Sequence, residues 1–479
     1  MRTIPSAVRT ALVTSIAALS LTASLPAQNA SSSDLDALRE QIRLLDQKLR
    51  ALERNQELKE ETAAAAAKKL PTVTAGASGF GITSSDKAFD LKLKALAQFD
   101  ARFFLDDNNG ERDTFLLRRI RTIFAGTVGG IYDFNITPEL ATGTNNSTSV
   151  GLWDAFIAAR FSPSFGIRAG KFPSAVGLEP GANRHFIESP FVNTLLPNRD
   201  IGIETFGSLS AFDYRLGVFN GAANNTANFG GGAPDIGDGD KTLAGRLTFA
   251  PFKSKKDSAI SKLSLGIGGS TGNERGTAGT NLSNGLSNIS SNSQQAIFSY
   301  GGTLRGNGTH NRISPSIEWY TGGPFSFVAE YALEQQDVAV NAAGLTRKFQ
   351  NDAWRVTAGY VLTGEEATKA GVTPTAPFSW EGGTWGAFEV VARVSGLNLD
   401  NDLFDTVAAG GAGLSDVNNA SGAIAYGVGL NWYLNRNVRW LFNVERTDYE
   451  GASGGNVAAT QVGARTDELA FITRIQLQF

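Results

Sequence analysis

The chain has 479 residues, no cysteine and only two histidines, and 43 lysines and arginines nearly balance 46 acidic residues for a net charge of −3. This balance gives no support for a nucleic-acid partner, and the lack of cysteine excludes disulfides, thiolate metal sites and cysteine nucleophiles. With His185 and His310 as the only imidazoles, we expect no metal site and no cofactor.

The first 30 residues have the features of a secretory signal peptide. Arg2 and Arg9 give a positive start, residues 10–25 are mostly apolar, and Ala27 is a small residue at a suitable cleavage point. An uncleaved anchor helix is the alternative. No later segment reaches the ~20 consecutive apolar residues that a membrane-spanning helix needs, so we expect no such helix.

Residues 31–69 carry a heptad repeat. Its apolar positions a and d are Leu35, Leu38, Ile42, Leu45, Leu49 and Leu52. About three heptads are marginal for a free helix, so we predict a coiled coil formed with further copies of the chain. A helix docked on its own chain is the alternative, and the heptads do not distinguish a dimer from a trimer. Residues 70–88, rich in Gly, Ser and Thr, are predicted to be a linker.

From Phe89 onward the apolar period changes to two, the period of a strand with one apolar face. At the other end of the chain, Leu469, Phe471, Ile475, Leu477 and Phe479 share one face, and Arg474 and two glutamines lie on the other. In the second strand this register directs Arg119 and Arg121 to the polar face. It leaves Arg118 on the apolar face, where Trp153 of a later strand is also placed.

Counting such segments gives sixteen strands, and we predict an all-β transmembrane barrel, antiparallel and of the outer-membrane type, with an N-terminal coiled-coil helix. The barrel occupies residues 89–479. The predicted strands are 89–105, 114–127, 130–138, 150–161, 165–172, 201–209, 212–219, 241–250, 259–270, 311–320, 324–336, 351–362, 385–396, 422–433, 437–448 and 468–479. Short turns alternate with long polar loops near 174–198, 221–240, 271–310, 364–384 and 397–421, as in bacterial outer-membrane barrels. Only a closed sheet satisfies every backbone group in lipid; a soluble multi-domain β protein is the alternative.

The polar faces of these strands define a candidate pore lining. Its predicted solute-contacting residues are Lys92, Lys94, Arg102, Arg119, Arg121, Asp154, Arg168, Arg215, Arg246, Arg355, Arg393, Arg439 and Arg474. A water-filled lumen with basic walls favours anions, although the arginines would also serve to pair with acids and stiffen the wall. The segment after Lys171, with Arg184 and His185, is the candidate constriction loop.

Enzymatic readings find little support. Two Gly-x-Ser-x-Gly matches, at 268–272 and 451–455, lie in no strand-to-helix turn, and no metalloprotease or phosphate-loop motif is present. We therefore predict that the protein is not an enzyme.

Several motifs in order give the chain a family resemblance. They are residues 115–121 (Phe-Leu-Leu-Arg-Arg-Ile-Arg), 152–156 (Leu-Trp-Asp-Ala-Phe), 170–179, 359–365, 429–433 and the ending 474–479. The chain resembles the phosphate-selective porin O/P family of Gram-negative outer membranes. The resemblance implies a homotrimer of sixteen-stranded, anion-conducting barrels in outer-membrane lipid, narrowed by inward-folded loops, with the coiled coil in the periplasm.

The resemblance also carries residue roles. Arg118 and Arg119 resemble the family's arginine pair and Asp154 its pore aspartate. Two family lysines are replaced, by Pro180 and within Tyr132-Asp133, and Lys369 matches a further lysine only loosely.

The predicted function is therefore passive diffusion of small anions, phosphate among them. Two alternatives remain. One is a structural envelope protein that tethers the membrane through its coiled coil. The other is a sugar-type porin with an aromatic slide built from Phe104, Phe156, Phe172, Phe206 and Phe219.

Overall fold

In the computed structural model, the chain divides into two units, residues 1–70 and 71–479. The structure describes residues 32–67, 70–105, 113–141, 150–178, 185–225, 239–255, 258–276, 284–301, 304–340, 344–404, 414, 419–451 and 467–479. The predicted signal peptide, residues 1–30, lies outside this set. Within it, no helix is both long and apolar enough to cross a bilayer.

The described residues of the first unit form one helix, α1, at Ser32–Ala67, which agrees with the helix predicted over 31–69. The six apolar heptad residues are all exposed along one stripe. Ion pairs at i,i+3 and i,i+4 spacing, such as Arg50 with Asp46 at 3.0 Å, line its other faces. The helix therefore presents an unpartnered seam, and the coiled coil stays a prediction.

The second unit is built almost entirely from strands. They are β1 Thr72–Gly76, β2 Gly79–Thr83, β3 Asp90–Phe104, β4 Thr114–Val128, β5 Tyr132–Glu139, β6 Gly151–Ser162, β7 Phe165–Pro173, β8 Arg199–Leu209, β9 Phe212–Phe219, β10 Thr242–Phe249, β11 Leu263–Arg275, β12 Ile289–Ser290, β13 Ala296–Phe298, β14 Arg305–Tyr320, β15 Phe325–Ala339, β16 Thr346–Val361, β17 Ala387–Asn398, β18 Gly422–Tyr433, β19 Val438–Glu450 and β20 Asp467–Gln478. In the described loops, 3-10 turns lie at Phe191–Thr194 and Asn401–Phe404.

Sixteen of these strands, β3–β11 and β14–β20, form one closed antiparallel barrel. Each pairs with its neighbour in the sequence of the barrel, and β20 pairs back with β3 from Phe471 opposite Phe103 to Gln478 opposite Leu96. The predicted strand number and closure are confirmed. Closure leaves no backbone edge for lipid to meet.

The outer face of the barrel is apolar and carries stacked aromatic rings across its closing seam. Phe99 and Phe103 lie against Phe115, and Phe103 lies against Phe471 with ring centroids 6.0 Å apart. Phe99 and Phe115 are exposed in the isolated chain, and Phe103 and Phe471 are half-buried. A lipid-facing band of this kind is what holds an outer-membrane barrel in the bilayer.

The predicted linker over 70–88 is instead a β-hairpin. β2 pairs with the first residues of β3, from Thr83 opposite Asp90 to Phe80 opposite Leu93. These residues of β3 precede the ones that pair with β20. The turn of the hairpin is fixed by Asn437, whose Nδ2 donates to the carbonyl oxygen of Ala77 at 2.6 Å. Short, glycine-rich strands have the composition of a flexible segment, which is why composition alone misassigns them.

Two β-bulges change which side chains face the lumen. In β4 the register shifts so that Gln98 is opposite Arg119 but Phe99 is opposite Leu117, and Arg118 is the extra residue. A second register shift lies in β6, opposite Thr137 and Pro138 of β5, and makes Trp153 the extra residue. An extra residue reverses the facing of the side chains beyond it. The lipid-side placements of Arg118 and Trp153 are therefore wrong, since both point inward.

The adjacent strands β11 and β14 continue beyond their predicted ends. The predicted strand 259–270 extends to Arg275, and the predicted strand 311–320 begins at Arg305; the two extensions pair with each other. They are polar and glycine-rich, because beyond the lipid both faces of a strand meet water or loops. The apolar alternation stops there while the hydrogen-bonded ladder continues.

One predicted loop lies at the opposite end of the barrel from the other long loops. The connection between β16 and β17, residues 362–386, shares its end with the short turns at 162–164, 321–324 and 434–437. In bacterial outer-membrane barrels that end faces the periplasm. The expectation that every long loop lies at one end is thus wrong for the predicted loop 364–384.

Candidate solute pathway

The connection between β7 and β8 crosses the lumen and is fixed to strands far from its own. His185 Nε2 hydrogen-bonds Ser326 Oγ of β15 at 2.9 Å, and the Ile187 amide donates to Asn443 Oδ1 of β19 at 2.8 Å. Because these anchors lie on β15 and β19, the loop traverses the barrel interior. This connection contains the segment predicted as the constriction loop, and its role in narrowing the pore stays a prediction.

Inward-facing glycines give the loop backbone its space. A Cβ on Gly268 of β11 would come within 1.9 Å of the Val176 carbonyl oxygen, and one on Gly427 of β18 would meet the Phe186 ring at 2.7 Å. A larger residue at Gly268 would meet backbone that has no freedom to rotate away. The sequence thus reserves part of the wall for the loop.

Glu188 is the centre of a charged clasp that holds the tip of the loop. Its Oε1 lies 2.7 Å from Arg102 Nη2, 2.7 Å from Arg118 Nε and 3.3 Å from Arg474 Nη2, and its Oε2 lies 4.0 Å from Arg119. All five side chains are mostly or fully enclosed. Charges removed from water are stable only when paired this closely, so these arginines bind the loop rather than a passing solute.

Other wall arginines bind the loop through its carbonyl oxygens. Arg393 Nη1 donates to the Glu188 carbonyl at 2.8 Å, and Arg246 Nη1 donates to that of Val176 at 3.0 Å. Arg215 reaches the carbonyl of Pro173 at the start of the loop. The inward arginines therefore line the wall and also bind the loop. Much of their hydrogen-bonding capacity is used in contacts within the protein.

Trp153 lies between two guanidinium groups inside the barrel. The Arg121 guanidinium carbon is 3.5 Å from the Trp153 ring centroid, and that of Arg199 is 3.8 Å away. Arg121 also pairs with Glu139, and Arg199 Nε donates to Asp154 Oδ1 at 2.9 Å. Stacking on an aromatic face fixes the plane of a guanidinium, so the bulge in β6 orders this part of the wall.

At the long-loop end, an apolar cluster occupies the lumen. It combines the constriction loop with the β11–β14 and β17–β18 connections and with inward strand ends; its large members include Phe172, Phe191, Leu195, Phe219, Leu286, Phe298, Phe349, Leu397 and Leu403. The prediction that the loops 271–310 and 397–421 are polar is wrong for these apolar residues. They fold inward because burial removes them from water.

At the short-turn end, the lumen is open and basic. One cavity of about 680 Å³ and a second of about 400 Å³ share Asp213 and Arg215 in their walls. Together they form what we call the vestibule. Eight cationic side chains face it against five carboxylates, an excess of three positive charges: Lys92, Lys94, Arg160, Arg168, Arg215, Arg246, Lys262 and Lys369 against Asp90, Asp133, Glu204, Asp213 and Glu318.

Several vestibule cations are partly neutralised. Lys92 lies 3.0 Å from Asp90, Lys369 lies 3.0 Å from Glu318, and Arg160 lies 3.5 Å from Asp133. Arg168 and Arg215 share Glu204, and Lys262 pairs with Glu366, which lies outside the two cavity linings. Lys94 has no ion pair within 4 Å among the residues that the structure describes. Arg246 donates to a loop carbonyl and to the Ser316 hydroxyl, both of them uncharged acceptors.

The predicted pore residues thus separate into two groups. Lys92, Lys94, Arg168, Arg215 and Arg246 line the vestibule. The other wall cations are held by protein partners: Arg102, Arg119 and Arg474 at Glu188, Arg121 at Glu139, Arg393 at Glu445, Arg355 at Glu330, and Arg439 at Gln476.

The remaining predicted residues lie at the base and tip of the constriction loop. Lys171 Nζ donates to the Leu152 carbonyl at 2.6 Å, and Asp154 accepts from Arg199. His185 is buried against β15, away from the vestibule. Arg184 lies outside the described residues.

Sequence reasoning missed Glu188, Lys262 and Arg199 as pore residues. A signal existed for the clasp: two adjacent arginines, Arg118 and Arg119, cannot both face inward on a regular strand, so their pairing indicates a bulge. Nothing local in the sequence marks Glu188, since its partners are far from it in the chain.

Comparisons with known proteins agree with this architecture. A family profile described as "Phosphate-selective porin O and P" matches residues 89–479. The chain belongs to this porin family. It is therefore an outer-membrane channel for passive diffusion, and family and fold both describe a channel rather than an enzyme.

Several solved structures are similar to this chain at low sequence identity. The porin resembles outer-membrane expressed OmpT of Vibrio cholerae, with a TM-score of 0.50, 10% identity, and coverage of 82% of this chain and 98% of that one. It also matches an anion-selective porin from Comamonas acidovorans (TM-score 0.49, 12% identity, 82% and 100% coverage). A third match is the outer membrane channel DcaP of Acinetobacter baumannii (TM-score 0.49, 10% identity, 84% and 100% coverage). No curated protein matches by sequence.

Proposed function

We propose that this porin prefers small anionic solutes, phosphate among them. The observation that carries the proposal is the excess of three positive charges around the vestibule. A charged cavity with low-dielectric walls raises the local concentration of the opposite ion. The basic lining predicted from sequence therefore acts mainly at the periplasmic end, because the arginines near the constriction are occupied by the loop.

Lys94 is the sharpest probe of this preference. Its charge has no carboxylate within 4 Å in the described chain, and it lines the larger cavity. Reversing it removes two units of the local positive excess. Arg54→Glu makes the same charge change on the first unit, at heptad position f of α1 opposite the seam, where Arg54 contacts only Glu57 among the described ion pairs, and serves as the matched control.

The test is the reversal potential of single channels in planar bilayers under a potassium chloride gradient. We expect the wild type to favour chloride, Lys94→Glu to reduce that preference, and Arg54→Glu to leave it unchanged. Block by phosphate then asks which anion is preferred. Cation selectivity of the wild type would contradict the proposal.

A structural role for the barrel is the second candidate, and the apolar cluster at the long-loop end favours it. A barrel filled in that half would tether the envelope with conduction incidental. A closed barrel with no steady conductance supports this alternative, and a stable conductance excludes it. The sugar-type alternative is weaker, since Phe172 and Phe219 are buried in the apolar cluster and, of the five residues of the predicted slide, Phe156 and Phe206 line the vestibule.

We further propose that the porin assembles as a homotrimer, with the signal peptide removed and α1 in the periplasm. Copies related by rotation about the membrane normal must have parallel helices. Lys48 and Glu53 flank the seam at positions g and e of consecutive heptads, and neither forms an ion pair within the described helix. In a parallel, in-register bundle Lys48 of one copy faces Glu53 of the next, which favours self-association.

A further inference from the structure

The connection between β16 and β17 has an inner and an outer half. The inner half lies inside the periplasmic mouth, where Ala367 and Val372 are buried against Tyr433. The outer half, residues 378–385, is a small hairpin closed by backbone hydrogen bonds between Ser379 and Thr384 at 3.0 and 3.2 Å. We call it the tryptophan hairpin, because it carries Trp380 and Trp385.

The tryptophan hairpin is fixed to the outside of the barrel wall. The Phe378 amide donates to the Leu434 carbonyl at 2.6 Å, and Trp432 Nε1 donates to the Trp385 carbonyl at 2.6 Å. The Phe378 and Trp432 rings meet edge to face at 5.4 Å. These contacts hold the hairpin beside the short-turn ends of β17 to β19.

Trp432 belongs to a row of outward aromatic rings. Phe388 stacks on it at 5.7 Å and Trp440 at 6.3 Å, across three adjacent strands. On the long-loop side of this row, outward side chains such as Val390, Val428 and Val444 are apolar and exposed. The row therefore marks the border of the lipid-facing band at the short-turn end, and the hairpin extends the row toward the periplasm.

The two hairpin tryptophans are nevertheless left uncovered. Trp380 is 80% exposed and Trp385 is 55% exposed, with their rings 6.2 Å apart. The turn that joins them, Glu381-Gly382-Gly383, is polar. Indole has an apolar body and one N–H donor, so its favoured place is the boundary between lipid and water.

We propose that the tryptophan hairpin inserts into the headgroup region of the inner leaflet of the outer membrane. The occupant is lipid, because the exposed rings are continuous with the lipid-facing aromatic row. The insertion ties the inner half of the same connection, which lies in the channel mouth, to the plane of the membrane. The inference does not depend on which solute the porin carries.

The chain has no cysteine, so single introduced cysteines can carry a spin label without other changes. Labels go at Glu381→Cys in the hairpin, at Val428→Cys as the lipid reference, and at Ser85→Cys in an exposed turn as the water reference. The full protein is reconstituted in vesicles of phosphatidylethanolamine and phosphatidylglycerol. Collision rates with oxygen and with a water-soluble nickel chelate then report depth.

We expect the oxygen-to-nickel ratio at residue 381 to fall between the two references. In a Trp380→Ser, Trp385→Ser background, the ratio should shift to the value at residue 85, while heat-modifiable gel migration shows that the barrel is still folded. A water-like ratio with both tryptophans present overturns the proposal. So does an intermediate ratio that survives their removal, or shielding from both reagents, which would indicate a protein neighbour.

Discussion

Glu188→Gln is the most informative single change in the constriction. Glu188 lies within 3.3 Å of Arg102, Arg118 and Arg474, and these side chains are at most 13% exposed. The substitution keeps the shape of the side chain but removes its charge. Among the described residues, Asp100, which Arg474 contacts at 2.6 and 2.7 Å, is then the only carboxylate left at the clasp.

The expected cost follows from the burial of these charges. Removing one partner of a buried ion pair costs about 3–5 kcal/mol, a factor of roughly 10² to 10⁴ in an equilibrium between attached and detached loop. The uncompensated guanidiniums would repel one another and face the lumen. We expect larger current fluctuations, a higher mean conductance and a stronger anion preference.

The assay is single-channel recording in planar bilayers, with thermal unfolding of the barrel followed in parallel. Glu318→Gln is the matched control, because it removes one negative charge from the vestibule, where Glu318 contacts Lys369, without touching the loop. It should shift selectivity slightly and leave current noise and stability unchanged. If the two variants behave alike, Glu188 does not hold the loop.

Three further predictions address other parts of the molecule. Gly268→Ala places a Cβ against the Val176 carbonyl oxygen and should displace the constriction loop, seen as altered conductance and faster proteolysis of the loop, whereas unchanged values would show that the wall tolerates a methyl group there. Trp153→Leu should free the two guanidiniums stacked on its ring and lower the thermal unfolding temperature more than Trp153→Phe does; equal effects would exclude stacking as the cause. A single cysteine at Leu45 should form a disulfide between copies on oxidation, since equivalent d positions meet in a parallel bundle, while one at Glu40, on the opposite face, should not; cross-linking at Glu40 alone would refute the seam.

Period-two alternation was enough to predict the barrel. Each wall strand must present one face to lipid, so the alternation within a stretch such as 468–479 is enough to identify it as a wall strand. The strand number and the closing pair β3 and β20 follow from counting such segments. The alternation could not reveal a bulge, because the extra residue in β4 changes facing without changing composition, and Arg118 was misplaced for that reason.

The site was harder to predict than the fold, because its contacts join distant parts of the chain. Glu188 meets Arg102 and Arg474 only after the barrel has closed, and the apolar residues of the loop at 284–301 look like scattered members of a polar stretch. The lining residues were therefore predicted from the face of the strand on which they lie. Whether each faces water or another side chain depends on where the loops fold, which no local pattern specifies.

The hairpin of β1 and β2 has a mechanical consequence. Tension drawn along the polypeptide from α1 reaches Thr72 first, at the same end of the hairpin as Thr83, so the two strands peel apart one pair at a time. β2 would then separate from β3, beginning at Phe80 opposite Leu93. Straightening residues 72–83 would lengthen the connection by about 40 Å while the pairing of β3 with β4 and β20 is still complete.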